Sequence, residues 1–224
     1  MYYYDYYGKK PEYYEIGETY FKFDFEFTEK YKTLLAEIYS QKLKGKSKEF
    51  LKLPEIKISI EFDKGSLKTK IKIWGLVATI YIGVGQYGSF RQGIREIVND
   101  VRDFSEYVIQ STQNEPSVGQ ERIIRFEKRI GFTGRINDIY NRIDKLERNL
   151  NSLSQNEIRE ELNSIKQEVS NISVLLPDDI NQQFLEDLSD DYRNNLPEPN
   201  ERKVRYLVNR YALKPEDEIE FIEE

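Results

Sequence analysis

Cysteine and histidine are both missing from the chain. Without cysteine there is no disulfide, thiol nucleophile, thiolate-bound zinc or iron–sulfur cluster. Without histidine the commonest general base, the commonest transition-metal ligand and the side chain that titrates near neutrality are gone as well. A Ser-His-Asp triad is excluded. Catalysis would have to run on carboxylates, lysine, tyrosine or an oxygen-bound hard cation. No catalytic residue, metal site or cofactor is assigned, and the expectation is a protein that is not an enzyme. Positive charge is also in deficit, with 34 Lys and Arg against 40 Asp and Glu. That argues against bulk electrostatic binding of nucleic acid. The N-terminus has neither the basic region nor the apolar stretch of a secretory signal. The expected setting is the cytoplasm, with a peripheral place at a membrane as its variant.

Long apolar runs are scarce in a chain that is 33% charged. The nearest approach is the uncharged stretch from Ile73 to Phe90, I-W-G-L-V-A-T-I-Y-I-G-V-G-Q-Y-G-S-F. Three readings compete for it. The first, which carries most weight, is buried core. The second is an anion loop. Gly83, Gly85 and Gly88 form a literal G-x-G-x-x-G after a β-branched run, and Ser89 and Arg91 follow at the start of a helix. Its wider context is wrong for a dinucleotide fold: about twenty positions on, where a strand should end in an acidic residue, Asp103 and Glu106 fall within a helical pattern. The third is a membrane element built on Trp74, Leu76, Val77, Ile80 and Ile82. A helix over 73–90 would be roughly 27 Å long, near the hydrocarbon thickness. Four glycines, Gln86 and Ser89 count against stable spanning.

The rest of the chain is richer in pattern. Residues 1–18 form a tyrosine-rich arm, expected to be loosely docked. Phe21, Phe23, Phe25 and Phe27 alternate with Lys22, Asp24 and Glu26, the signature of a half-buried strand. Thr28 suits a helix N-cap and Gly45 its C-terminal end, with Lys46 and Lys48 in a following loop. Ile56, Ile58, Ile60 and Phe62 alternate, Asp63-Lys64-Gly65-Ser66 turns, and Leu67, Thr69, Ile71 and Ile73 return. Residues 19–74 thus read as a strand–helix–β-hairpin unit.

Residues 75–110 hold the uncharged run and a helix capped by Ser89, with Phe90, Ile94, Ile97, Val101, Phe104 and Val108 on one stripe. A linker is expected over 111–120, and a mainly helical body over 121–213. There, Ile123, Phe126 and Ile130 suggest a short helix. Ile136, Ile139, Ile143, Leu146, Leu150 and Leu153 then keep a three-four rhythm. Ile158, Leu162, Ile165, Val169, Ile172 and Leu176 repeat it after Ser154-Gln155-Asn156-Glu157, a capping box. This is an antiparallel helical hairpin over 134–176. A last helix is expected from about Asn200 to Leu213, then an acidic tail over 214–224.

Arg122, Arg125, Lys128, Arg129 and Arg135 cluster, as do Arg202, Lys203, Arg205 and Arg210. The bland reading pairs them with the acidic stretch Asp178–Glu201. Asp100 and Asp103 are adequately explained by solvation. The fold class expected is therefore α+β, with a small N-terminal unit and a helical body. The function expected is assembly or adaptation through helical self-association or a protein partner, with Ile136, Ile139, Ile143, Leu146, Leu150, Ile158, Leu162, Ile165 and Val169 as the interaction surface. Insertion of 73–90 into a membrane, as by a microbial conflict effector, and anion sensing at the glycine loop are the alternatives.

Overall fold

The computed structural model describes residues 12–25, 28–53, 56–62, 68–76, 88–116, 118, 122–213 and 220–222. Five strands make one sheet: β1 (Tyr13–Phe23), β2 (Ile56–Phe62), β3 (Lys68–Leu76), β4 (Ile123–Ile130) and β5 (Glu220–Ile222). Their order is β4-β1-β3-β2-β5, and every neighbour is antiparallel. The helices are α1 (Glu29–Leu51), α2 (Phe90–Gln113), α3 (Phe132–Asn149), α4 (Gln155–Ser173), α5 (Asp178–Glu186), α6 (Asp190–Arg193) and α7 (Glu201–Tyr211). The fold is α+β, with α2 and α3 packed on one face of the sheet and α1 packed on α2.

β1 is longer than its phenylalanine alternation suggests. It begins at Tyr13, so residues 13–18 are not part of a loose arm but about half of an interior strand, between β4 and β3. Tyr14 is fully buried, stacks on Phe132 at 4.2 Å and donates its hydroxyl to Leu175 O at 3.2 Å. Residues 1–11 and Phe27 lie outside the described residues. Phe21 and Phe23 face the helices, and Phe25 is half-buried against Tyr31.

Thr28 caps α1 as expected, accepting from Tyr31 N at 3.3 Å. The helix does not end at Gly45. It runs to Leu51, because Leu35, Tyr39, Leu43, Ser47 and Leu51 keep one buried face at steps of four. Burial beyond Gly45 outweighs the roughly 1 kcal/mol propensity penalty of one exposed glycine. Lys46 and Lys48 are therefore helical, and the left-handed residue that ends α1 is Lys52, φ 45°.

β2 and β3 pair Ile58 with Ile73 and Ile60 with Ile71, all facing the core. The turn expected at 63–66 lies outside the described residues. β3 continues past Ile73 to Leu76, so the uncharged run is not one helix. It opens as strand, its middle (77–87) lies outside the described residues, and Ser89 starts α2 by accepting from Gln92 N at 3.2 Å.

The expected short helix at Ile123, Phe126 and Ile130 is β4 instead. Four apolar residues in eight are too few to tell a helix from a strand, and pairing with β1 settles it. The 111–120 linker is likewise not a boundary. α2 reaches Gln113, Val118 is buried, and β4 joins the N-terminal sheet, so one core runs through the supposed unit and body.

The helical hairpin forms as expected from α3 and α4. Its capping box is present: Glu157 N donates to Ser154 Oγ at 3.3 Å, and Ser154 N donates to Glu157 Oε2 at 2.8 Å. α7 starts at the Asn200 cap and leads into Ala212, which bridges Tyr14 beyond the end of β4. The acidic tail contributes a strand, β5, paired with β2.

Close approach fixes Gly17. A Cβ there would lie 2.3 Å from Val101 Cγ1 on α2. Gly17→Ala is expected to lower stability by about 1–3 kcal/mol through overpacking. Adding Val101→Ala should recover part of that loss in a double-mutant cycle read by urea unfolding.

Candidate functional site

The sheet face opposite α2 and α3 carries charge that the sequence alone does not reveal. Glu15 and Glu18 are three residues apart, which in a regular strand would put them on opposite faces. A bulge between Glu15 and Gly17 changes this: Glu15 pairs with Trp74 and Glu18 with Lys72, two residues on one face of β3. Both carboxylates are buried, Glu15 at 0% exposure.

Cations converge on them from three elements. Arg210 of α7 reaches Glu15 at 3.1 Å and Glu18 at 3.7 Å. Arg129 of β4 holds Glu18 at 2.5 Å and Glu127 at 2.6 Å. Lys72 of β3 lies 2.6 Å from Glu61 of β2 and 3.8 Å from Glu15. Trp74 is buried beside them and donates its indole N–H to Ser59 Oγ at 2.8 Å. Burial pushes the Glu15 carboxyl up to about 7; Arg210 and Lys72 pull it down, while Glu18 adds to the rise. Its Oε1 has no hydrogen-bond partner among the described residues. Among the described residues, no group of three or more acidic side chains is close enough to hold a metal ion.

Seven members of the two basic clusters are tied to acids other than those of 178–201, Arg129 and Arg210 among them. Arg122 pairs with Asp24, Arg125 with Glu127, Lys128 with Glu106, and Arg135 and Lys203 with Glu168.

The expected sites fare differently. Gly83 and Gly85 lie outside the described residues. Gly88 has φ +74° and is exposed, but Ser89 already caps α2, and Arg91 is bound to Asp144 of α3 and lies over the Tyr140 ring. Among the described residues, Gly88, Ser89 and Arg91 do not converge on an anion site. Of the membrane candidates, Trp74 is buried in β3. Leu76 ends that strand, while Val77, Ile80 and Ile82 lie outside the described residues. Among the described residues, no helix is long and apolar enough to cross a membrane.

The helical stripe is core rather than surface. Ile136, Ile139, Ile143, Leu146, Ile165 and Val169 are buried by α2 and by the hairpin's own packing. Ile158 and Leu162 are half-buried, and Leu150 at the hairpin tip is 46% exposed.

Among the described residues, β4 and β5 end the sheet, and β4 carries exposed apolar side chains. Its Ile124 is 56% and Phe126 44% exposed. The backbone direction follows from one bond. Gly131 N donates to Ile16 O at 2.9 Å while Ile130 pairs with Gly17. In an antiparallel ladder this makes Gly17 and Ile130 a non-hydrogen-bonded pair, and parity alternates from there to Arg125, beyond which the ladder shifts at Ile124. The N–H and C=O of Phe126 and Lys128 therefore point away from β1, toward the free edge. Helical spacing masked this strand, and only the run of Ile123, Ile124 and Ile130 hinted at it.

Comparison with protein-family models, with curated proteins and with solved structures returns no match to this chain.

Glu15 sets a pH dependence. A carboxyl whose folded value, about 7, lies above its unfolded value of 4.5 binds its proton more tightly in the native state. That stabilisation is complete below pH 4.5 and is lost as pH rises through 7. The groups facing Glu15 are Glu18, Lys72 and Arg210. Glu15→Gln should flatten the decline in urea midpoint over this window. Arg210→Leu should push the Glu15 carboxyl still higher and move the decline to higher pH.

Proposed function

We propose that the protein is a non-enzymatic assembly protein, and that it self-associates through the open edge of its sheet rather than through its helical stripes. The observation that carries this reading is the exposure of Ile124 and Phe126 on an edge strand whose Phe126 and Lys128 backbone groups point outward. Such an edge is a template for another strand, and main-chain bonds made there add to burial of exposed apolar side chains. The charged face supports a non-catalytic reading in that its cations are occupied by its own carboxylates. The proposal sets the assembly in the cytoplasm. Neither membrane insertion nor anion sensing has a described feature in its favour.

Light scattering across a concentration series should show mass rising from the monomer's 26.7 kDa toward a dimer. Phe126→Lys should hold the mass at the monomer value with an unchanged unfolding midpoint. Leu146→Asp should instead unfold the helical body, since Leu146 is core. A wild type that stays monomeric throughout the series would overturn the reading.

A further inference from the structure

Resting on that edge reading, we infer that the partner is a second copy of this chain, paired β4 to β4 about a two-fold axis through Phe126. Two constraints lead to one register. The first is backbone parity. In a symmetric antiparallel pair, the residue on the axis faces itself, and outward-pointing residues must meet outward-pointing residues for bonds to form. The axis must then pass through one residue rather than between two. Within the central part of β4 the choices are Arg125, Phe126, Glu127 and Lys128.

The second constraint is charge. Centring on Arg125, Glu127 or Lys128 sets like charges directly opposite each other, which is destabilising. Centring on Phe126 sets an exposed aromatic ring against its own copy on the helix-bearing face. It also brings Arg125 opposite the second copy's Glu127, and Glu127 opposite the second copy's Arg125, on the charged face. These flanking positions are non-hydrogen-bonded pairs, where side chains come closest. Within one chain Arg125 and Glu127 already pair with each other, so the two-fold extends an existing ion pair into a four-residue cluster. Phe126 supplies both an N–H and a C=O at the axis. The result is a continuous sheet whose helix-bearing and charged faces run unbroken across both copies.

The same charges explain selectivity. Arg125, Lys128 and Arg129 guard the edge against indiscriminate strand pairing, as charges on edge strands commonly do. In the Phe126-centred register the second copy's Glu127 meets Arg125, while Lys128 and Arg129 keep their own partners, Glu106 and Glu18; a strand without a carboxylate opposite Arg125 is disfavoured.

The natural absence of cysteine makes the register directly readable. Single-cysteine variants would be exposed to a mild oxidant at a concentration where wild type is dimeric. Hydrogen-bonded and non-hydrogen-bonded antiparallel pairs place Cα atoms about 5.5 and 4.5 Å apart, both within the disulfide range of about 4.4–6.8 Å. Phe126→Cys should cross-link to itself. Arg125→Cys and Glu127→Cys should not cross-link alone but should do so when mixed. As a check that does not depend on oxidation, Arg125→Glu and Glu127→Arg should each be monomeric and should form a mixed dimer together. Self-cross-linking at Lys128→Cys with none at Phe126→Cys would overturn the register, as would charge variants that dimerise as wild type does. In either case wild-type dimerisation lost in Phe126→Lys would leave the edge reading standing. A monomeric wild type would remove both.

Discussion

Burial of two carboxylates on β1, the strand between β4 and β3, is the constraint on which the rest of the structure depends. An isolated buried carboxylate is strongly disfavoured, and it is tolerated only when cations and hydrogen bonds surround it. Glu18 meets that requirement through Arg129 of β4 and Arg210 of α7, and Glu15 meets it in part through Arg210 and Lys72 of β3, its value of about 7 marking the burial cost that remains. Those contacts dictate where three elements distant in sequence must lie. β4 is held beside β1 not only by its ladder but by Arg129, and the C-terminal helix is held over the sheet by Arg210. The other face of β1 works by a different force. Tyr14, Ile16, Phe21 and Phe23 bury apolar surface against the helices, each such side chain contributing about 1.5–3 kcal/mol. One strand thus organises an oily face and an ionic face at once.

The surface left for a partner is a consequence of this arrangement. Because α2 covers α3 and α3 packs with α4, the long periodic stripes are consumed within the monomer. Because β1 takes β4 as its neighbour, β4 becomes the end of the sheet. Its inward-facing backbone is satisfied by β1, its outward-facing backbone is not engaged by any described strand, and Ile124 and Phe126 remain partly in water. Association through the sheet therefore requires no rearrangement of the core, whereas association through the stripes would require opening it.

The elements with long, regular spacing were legible from the sequence. The hairpin helices, their capping box at Ser154 and Glu157, the Ser89 and Thr28 caps and the β2–β3 alternation all follow from local rules. What was hidden depended on tertiary choice. α1 passes Gly45 because a buried face continues to Leu51. β4 resembles two turns of helix until β1 is there to pair with it. The Glu15–Glu18 pair was invisible because strict strand alternation separates them, and only the bulge at Ile16 brings them to one face. Arg210 lies 195 residues from Glu15, and no local pattern links the two.

Amide hydrogen exchange resolved along β4, compared between dilute and concentrated protein, tests the central claim most directly. The account predicts that protection at the amides of Phe126 and Lys128 rises with concentration, in step with mass, while Glu127, already bonded to β1, changes little. A rise in mass with unchanged exchange at Phe126 and Lys128, or with new protection at the hairpin tip around Leu150 instead, would contradict it.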